Sequence, residues 1–108
     1  MRRGDVIKVA GTGDFAGKPR PAVVVQANEF CEAHGSLTVI PLTSQLHHSL
    51  MFRVPVPAGD ATGLQANSEA QVDKVQSVRR DRTRGIIGAV DLWSMQRIDQ
   101  ALREWLSL

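Results

Sequence analysis

Short runs rich in Val, Ile and Leu recur along this 108-residue chain, and clusters of Gly, Pro and Asp separate them. Runs of this length are typical of β-strands, and the clusters between them supply turn residues. The pattern predicts a mainly β fold whose strands form a closed or nearly closed sheet. Because 108 residues suffice for one apolar core but not for two, we expect a single domain over residues 1–108.

The strand signals lie at Asp5–Val9, 21–26, 37–42, 52–56 and 71–78. Four consecutive apolar residues in the second segment, from Ala22 to Val25, indicate burial on both faces or packing of one face against a partner chain. Prolines interrupt the fourth segment, which predicts an edge strand because proline donates no ladder hydrogen bond. The alternation in 71–78 is imperfect and predicts two strands or a bulge. Glycines and Pro19 make 11–19 a loop.

The apolar period changes near the C-terminus. Apolar residues there follow one another at steps of three or four, which predicts one amphipathic helix with a buried stripe of Leu92, Met95, Ile98, Leu102 and Trp105. Asp91 is the expected N-cap, and Val90 with Met95 is the expected hydrophobic staple.

Composition excludes several classes of protein. A hydrophobic fraction of 43% with 22% charged residues is ordinary for a globular domain. The N-terminal segment lacks a signal-peptide pattern and no apolar run reaches membrane-spanning length, so we expect a cytoplasmic protein without a membrane partner. The lone Cys31 fits a reducing compartment. A net charge of +2 and a pI near 9.2 allow polyanions as partners but do not identify one.

Two nucleotide-binding motifs fail here. The Gly11, Gly13, Ala16 series has dinucleotide-fingerprint spacing, but Pro19 and Pro21 prevent the helix that such a motif must open. A phosphate-binding loop fails as well, because Pro19 follows Gly17-Lys18 where Ser or Thr is needed. The spacing of Cys31, His34, His47 and His48 matches no structural zinc framework, so we expect neither a metal nor a cofactor.

Several motifs are specific in combination and follow one another along nearly the whole chain. They are RGDV from Arg3, GKPRPAVVVQ from Gly17, PLTS from Pro41, Gly63-Leu64, Ser68, DKVQSV from Asp73, and Arg82. Together they resemble the MazF/PemK (Kid/CcdB-like) family of toxin endoribonucleases from type II toxin–antitoxin systems. The resemblance implies an SH3-like small β-barrel with a C-terminal α-helix. It also implies a homodimer that cleaves single-stranded RNA without metal and so blocks translation and growth. The implied partner is an antitoxin with an acidic disordered segment, and operator DNA would be contacted only through that antitoxin.

This chemistry gives a reason for the Pro19-Arg20-Pro21 triplet. When a 2′-hydroxyl attacks the adjacent phosphorus, negative charge develops on the phosphate oxygens, and a preorganised cation stabilises it. Arginine carries a permanent charge on a planar fork that matches phosphate. The flanking prolines restrict the backbone, so they hold the origin of the Arg20 side chain in place.

Other site residues follow from the resemblance. Thr43 matches the family's catalytic threonine, and Asp73 matches the position proposed in the PemK branch to accept the 2′-hydroxyl proton. Gln71 stands where that branch has arginine, and the histidine expected in the first loop is missing, which favours the Arg20–Thr43 version of the mechanism. The candidate RNA-binding residues are Lys18, Ser44, Gln45, His47, His48, Gln71 and Arg82. The arginine-rich run 79–84 either follows an RNA backbone or forms a solvated face.

Two alternatives stay open. Toxins of the same fold that bind DNA gyrase depend on a C-terminal tryptophan followed by glycine and isoleucine, whereas this chain ends Trp105-Leu106-Ser107-Leu108. The other alternative is a non-catalytic barrel that binds RNA or protein.

Overall fold

The structure is a computed structural model that describes residues 1–11, 18–47 and 51–108. It contains seven strands and two α-helices within these ranges. In chain order they are β1 (Asp5–Val9), β2 (Arg20–Val24), α1 (Asn28–Cys31), β3 (Ser36–Thr43), β4 (Arg53–Val56), β5 (Ser68–Gln71), β6 (Gln76–Arg79), β7 (Thr83–Ala89) and α2 (Leu92–Leu106). Short 3₁₀ turns at Val72–Lys74 and Arg80–Arg82 flank β6.

The strands form one antiparallel sheet in the order β4-β5-β3-β2-β1-β7, and β6 also pairs with β3. β3 is central because its first half pairs with β6 and its last two residues pair with β5. Its other edge pairs with β2 in a register that sets Ala22 opposite Pro41. The end of β3 therefore lies between the start of β2 and the middle of β5.

The two faces of the sheet bury separate apolar clusters. The larger cluster packs residues such as Val23, Ile40 and Leu42 against Met95 and Ile98 of α2. The smaller cluster, on the opposite face, contains Ile7, Ala22, Val24, Cys31, Leu37 and Val39. All four residues from Ala22 to Val25 are buried, as expected for a strand covered on both faces. These two layers fix the direction of every side chain on β2 and β3.

The predicted helix is present and begins at its expected cap. The Asp91 carboxylate accepts a 2.7 Å hydrogen bond from the Ser94 backbone N–H, and Val90 and Met95 are both buried. The predicted apolar stripe is buried at Met95 and Ile98, and the half-exposed Trp105 packs its ring edge-on against Phe52 with centroids 5.1 Å apart. The stripe is wrong at Leu92, which is 83% exposed. Each three-residue step falls about 60° short of a full turn. Consecutive steps of three therefore rotate Leu92 away from the buried face.

The predicted mainly β fold with a C-terminal helix is confirmed, although the sheet formed by the described residues is not closed. The segment 71–78 resolves into two strands joined by a 3₁₀ turn, and β4 lies at an edge as its prolines require. The sequence patterns missed β7 and α1. In β7 the glycines Gly85 and Gly88 interrupt the apolar alternation, and register shifts against β1 break the period further. No helix of the described residues is long and apolar enough to cross a membrane.

Candidate active site

Arg20 is the first residue of β2, and its side chain is exposed. It pairs with Val9 of β1, so the strand holds its backbone even though it directly follows the loop. Pro19 precedes it and Pro21 follows it within the strand. The expected rigid origin for this guanidinium is thus provided by β-pairing as well as by proline.

Thr43 is the last residue of β3 and is half-buried. The β2–β3 register sets Ala22 opposite Pro41, and its continuation by two residues sets Arg20 opposite Thr43. Both side chains point to the face of the smaller apolar cluster, since Ala22, Val24 and Val39 of the same strands contribute to that cluster. The two predicted catalytic residues therefore lie on neighbouring strands and on one face.

A third polar residue extends this line. Glu69 of β5 pairs with Thr43 on the other edge of β3, so its side chain shares the same face. Arg20, Thr43 and Glu69 thus form a row across β2, β3 and β5, named here the Arg20–Thr43–Glu69 row. Of these three side chains, Glu69 is the most deeply buried, with only 2% of its side chain exposed.

The buried carboxylate of Glu69 has two described partners. Its Oε1 accepts a 2.8 Å hydrogen bond from the His47 backbone N–H. The Nη1 of Arg53, on β4, lies 3.6 Å from the same oxygen and has no hydrogen-bond partner within the described residues. Opposite charges at this distance offset the cost of burying each of them. The ion pair therefore places a compensated carboxylate beside Thr43.

The segment that follows Thr43 is held at two points. The Thr43 Oγ1 accepts a 3.1 Å hydrogen bond from the Gln45 N–H, and Glu69 accepts the His47 N–H. A hydroxyl that accepts this bond keeps its own proton for donation. Ser44, Gln45 and His47 are all exposed along this segment. The segment 44–47 therefore presents three of the predicted RNA-binding side chains beside Thr43.

The other predicted residues lie at different distances from the row. Lys18 is exposed, two residues before Arg20. Gln71 is half-buried at the end of β5, on the face of Glu69, and pairs with Arg53. Asp73 is exposed on the 3₁₀ turn after β5 and lies outside the row. His48 lies outside the described residues.

Arg82 lies near the Arg20 end of the row. Its carbonyl accepts a 2.7 Å hydrogen bond from the N–H of Ala10, which follows the β1 residue that pairs with Arg20. The neighbouring arginines have local partners: Arg79 pairs with Asp81 at 2.5 Å, and Arg80 Nε donates to the His34 carbonyl at 3.0 Å. The contact with Ala10 therefore places the Arg82 backbone beside the strand pair of Val9 and Arg20.

Glu69 and Arg53 are the residues that sequence reasoning missed. An isolated glutamate in a polar stretch reads as a surface residue, and the pairing that buries it joins distant segments of the chain. The described residues contain no group of three or more His, Cys, Asp or Glu side chains arranged to hold a metal ion.

The sequence and the fold match a known family. The family described as the PemK-like, MazF-like toxin of type II toxin–antitoxin system matches residues 2–106. The chain is 35% identical over its full length to a probable endoribonuclease MazF of Mycolicibacterium smegmatis, covering 98% of that protein. It is 34% identical to endoribonuclease MazF9 of Mycobacterium tuberculosis, again over all of this chain and 98% of the relative.

Solved structures agree on the fold. A MazE–MazF crystal structure from Deinococcus radiodurans has a TM-score of 0.83 at 19% identity, covering 100% of this chain and 96% of that one. The Mycobacterium tuberculosis toxin MazF-mt6 has a TM-score of 0.79 at 21% identity, with coverages of 95% and 97%.

This chain belongs to the PemK-like, MazF-like toxin family, and the resemblance expected from its motifs is confirmed. Both curated relatives carry the name endoribonuclease, which favours the nuclease prediction over the gyrase-binding alternative.

Proposed function

We propose that this protein is a toxin endoribonuclease that cleaves single-stranded RNA without a metal ion, and that Arg20 and Thr43 carry the chemistry. One observation supports this most directly. The register of β2 and β3 pairs Ala22 with Pro41, and its continuation by two residues sets Arg20 and Thr43 opposite each other on one face of the sheet. The family membership and the names of both relatives support the reaction class.

In this proposal the 2′-oxygen of one nucleotide attacks the adjacent phosphorus, and the bond from phosphorus to the 5′-oxygen of the next nucleotide breaks. The 2′-hydroxyl proton passes to Asp73 or to solvent water, and solvent water supplies a proton to the departing 5′-oxygen. The products are a 2′,3′-cyclic phosphate and a 5′-hydroxyl. Charge develops on the two non-bridging oxygens during attack, and the Arg20 guanidinium binds them as a planar, permanently charged fork. Arg20 contributes most because its charge is already fixed at the strand end.

Thr43 is the second participant. Its Oγ1 already accepts the Gln45 N–H, which leaves the hydroxyl proton available for donation to the substrate. A donor aimed at a phosphate oxygen stabilises the transition state more than the ground state, because the oxygen gains charge. Asp73 is proposed to help accept the 2′-hydroxyl proton. Because it is exposed on the turn outside the row, solvent water can take the same proton, and Asp73 therefore has a smaller role than Arg20 or Thr43.

The substrate contacts surround this centre. Lys18 and Arg82 supply positive charge near the Arg20 end of the row, where phosphates of the RNA backbone bind without regard to sequence. The proposed base contacts come from the segment after Thr43 and from the end of β5. They are Ser44, Gln45, His47, His48 and Gln71. Exposed polar side chains beside a single strand read the base edges that a duplex hides.

The proposed partners follow from the family. Solved structures similar to this chain include an endoribonuclease in complex with its cognate antitoxin from mycobacterial species, with a TM-score of 0.76. We propose a homodimer that a cognate antitoxin neutralises through an acidic disordered segment, with operator DNA contacted only through the antitoxin. The proposed site of action is the cytoplasm, where the RNA substrate is found.

The proposal is tested by incubating the pure protein in EDTA with single-stranded RNAs of varied sequence and mapping the ends. We expect cleavage at a short preferred sequence, with 2′,3′-cyclic phosphate and 5′-hydroxyl products. The same RNA with a single 2′-deoxy substitution at the mapped nucleotide should resist cleavage there, since it lacks the attacking oxygen. Cleavage of the deoxy substrate, or a requirement for added metal, would contradict the proposed mechanism.

A further inference from the structure

We propose that Glu69 is a positioning residue for the cleavage reaction, acting by holding the segment 44–47 against the sheet beside Thr43. The inference rests on the proposed endoribonuclease function and adds to it a residue that the motifs do not mark. It starts from the contrast between an exposed Arg20 and a Glu69 carboxylate of which only 2% is exposed.

Burial makes the hydrogen bond from the His47 N–H to Glu69 strong. A carboxylate that accepts an amide proton forms a charge-assisted bond, and exclusion of water strengthens it. Arg53 Nη1 lies 3.6 Å from the same oxygen and places a compensating positive charge beside the buried carboxylate. The bond joins β5 to a segment of otherwise exposed residues.

The anchor acts on the hydroxyl of Thr43 through the backbone. Residues 44–47 follow β3 directly after Thr43. The Gln45 N–H donates a hydrogen bond to Thr43 Oγ1, and the His47 N–H donates one to Glu69 Oε1. If the second attachment is lost, the Gln45 N–H no longer has a fixed place, and the Thr43 hydroxyl loses the partner that orients it. A displacement of about 1 Å in a reacting group costs up to about a hundredfold in rate.

The anchored segment also forms one wall of a cavity. Leu46 and Glu69 line a space of about 320 Å³ together with residues of β4, β5 and the segments next to them, among them Pro55, Pro57 and Asn67. Leu46 lies between Gln45 and His47, whose backbone N–H groups are both hydrogen-bonded, so a shift of the segment 44–47 also moves Leu46. Fixing 44–47 therefore fixes the surface next to Thr43 as well as its hydroxyl.

A matched pair of double variants separates the effect of the hydrogen-bond acceptor at position 69 from the effect of the Arg53–Glu69 ion pair. Arg53→Met/Glu69→Gln removes both buried charges and keeps an oxygen that accepts the His47 N–H. Arg53→Met/Glu69→Leu removes the charges and the acceptor together. Replacement of a buried ion pair by apolar residues is often neutral for stability, so both proteins should fold. Glu104→Gln, on the exposed side of α2, is the control.

Two measurements are made on each full-length variant: amide hydrogen exchange at His47 by NMR, and single-turnover RNA cleavage at varied protein concentration. We expect the leucine variant to exchange the His47 amide about tenfold faster than the glutamine variant, with β5 amides unchanged. Its maximal rate should fall about tenfold, while the half-saturating concentration changes less than about threefold. The glutamine variant keeps a neutral acceptor for the His47 N–H, so its exchange rate should lie between those of the wild type and the leucine variant, and its maximal cleavage rate should stay within about threefold of wild type.

Equal His47 exchange in the two variants would overturn the anchoring role. Faster exchange with an unchanged cleavage rate per folded molecule would overturn the role in catalysis. If the wild-type protein cleaves no RNA, the proposed function fails, while the exchange measurement still decides whether Glu69 anchors the segment.

Discussion

Arg20 and Thr43 lie on the neighbouring strands β2 and β3, two residues beyond the pair Ala22–Pro41 on each strand, so the continued register sets them opposite each other. Strand alternation places both on the face that bears the smaller apolar cluster. Arg20 begins one strand and Thr43 ends the next, so a cation and a hydroxyl meet at a single end of the sheet. Thr43 is in turn paired with Glu69. This arrangement gives each of the three residues a separate, measurable task.

Thr43 is expected to act through its hydroxyl. Thr43→Val keeps the shape of the side chain but removes the proton donor, and we expect single-turnover RNA cleavage to fall about a hundredfold or more. Thr43→Ser keeps the donor and should stay within about tenfold of wild type. Thr38→Val, at a half-buried position earlier in β3, is the control. Wild-type cleavage by Thr43→Val would show that the hydroxyl takes no part.

Asp73 is expected to contribute less than the two residues of the ladder. It is exposed on the turn Val72–Lys74 and lies outside the Arg20–Thr43–Glu69 row. We expect Asp73→Asn to lower the single-turnover rate by less than about tenfold at neutral pH. A general base contributes about a hundredfold or more, so a loss of that size would make Asp73 the base and would shift the chemistry toward the turn.

Arg82 is expected to bind a phosphate. Binding is measured with an RNA that carries 2′-deoxy at its cleavage site, over a range of salt concentrations. For a single strand, Arg82→Ala should reduce the slope of log affinity against log salt by about 0.7. Arg79→Ala is the matched control, because Arg79 is already paired with Asp81. Equal slopes in the two variants would remove Arg82 from the RNA surface.

Gly63 tests the packing that supports the sheet. Its φ is +74°, and a Cβ there would lie 2.1 Å from the carbonyl oxygen of Ile87 in β7. We expect Gly63→Ala to lower the free energy of unfolding by about 1–3 kcal/mol, measured by chemical denaturation. Gly35→Ala is the control, since a Cβ there meets no atom within 4 Å. Similar denaturation midpoints for Gly63→Ala and Gly35→Ala would contradict the close approach of Gly63 to the Ile87 carbonyl.

The sequence predicted best those features whose signals are local. The predicted strand Asp5–Val9 matches β1 at both ends. Asp91 is the N-cap of α2, as expected for an acidic residue directly before a run of apolar residues at helical spacing. β7 was not predicted, because Gly85 and Gly88 dilute the strand signal and its pairing with β1 is long-range. Leu92 was misassigned because spacing alone does not show which face meets the sheet.

In the candidate site, too, the features with a local sequence signal were predicted and those that depend on long-range pairing were not. Motif resemblance identified Arg20 and Thr43, and the register of distant strands brings them together. Glu69 carries no local sign of its role. Glu69 pairs with Thr43 of β3 and forms an ion pair with Arg53 of β4. Both residues are distant from Glu69 in the sequence, so no local pattern predicts its burial.

The most direct test of the account is single-turnover cleavage of one mapped RNA in EDTA by wild-type protein, Arg20→Ala and Arg97→Ala. Arg97 is an exposed arginine of α2 and serves as the matched control. We expect Arg20→Ala to be slower by about a hundredfold or more and Arg97→Ala to equal wild type, with all three folded by circular dichroism. Equal rates for the two variants would contradict the claim that Arg20 stabilises the transition state.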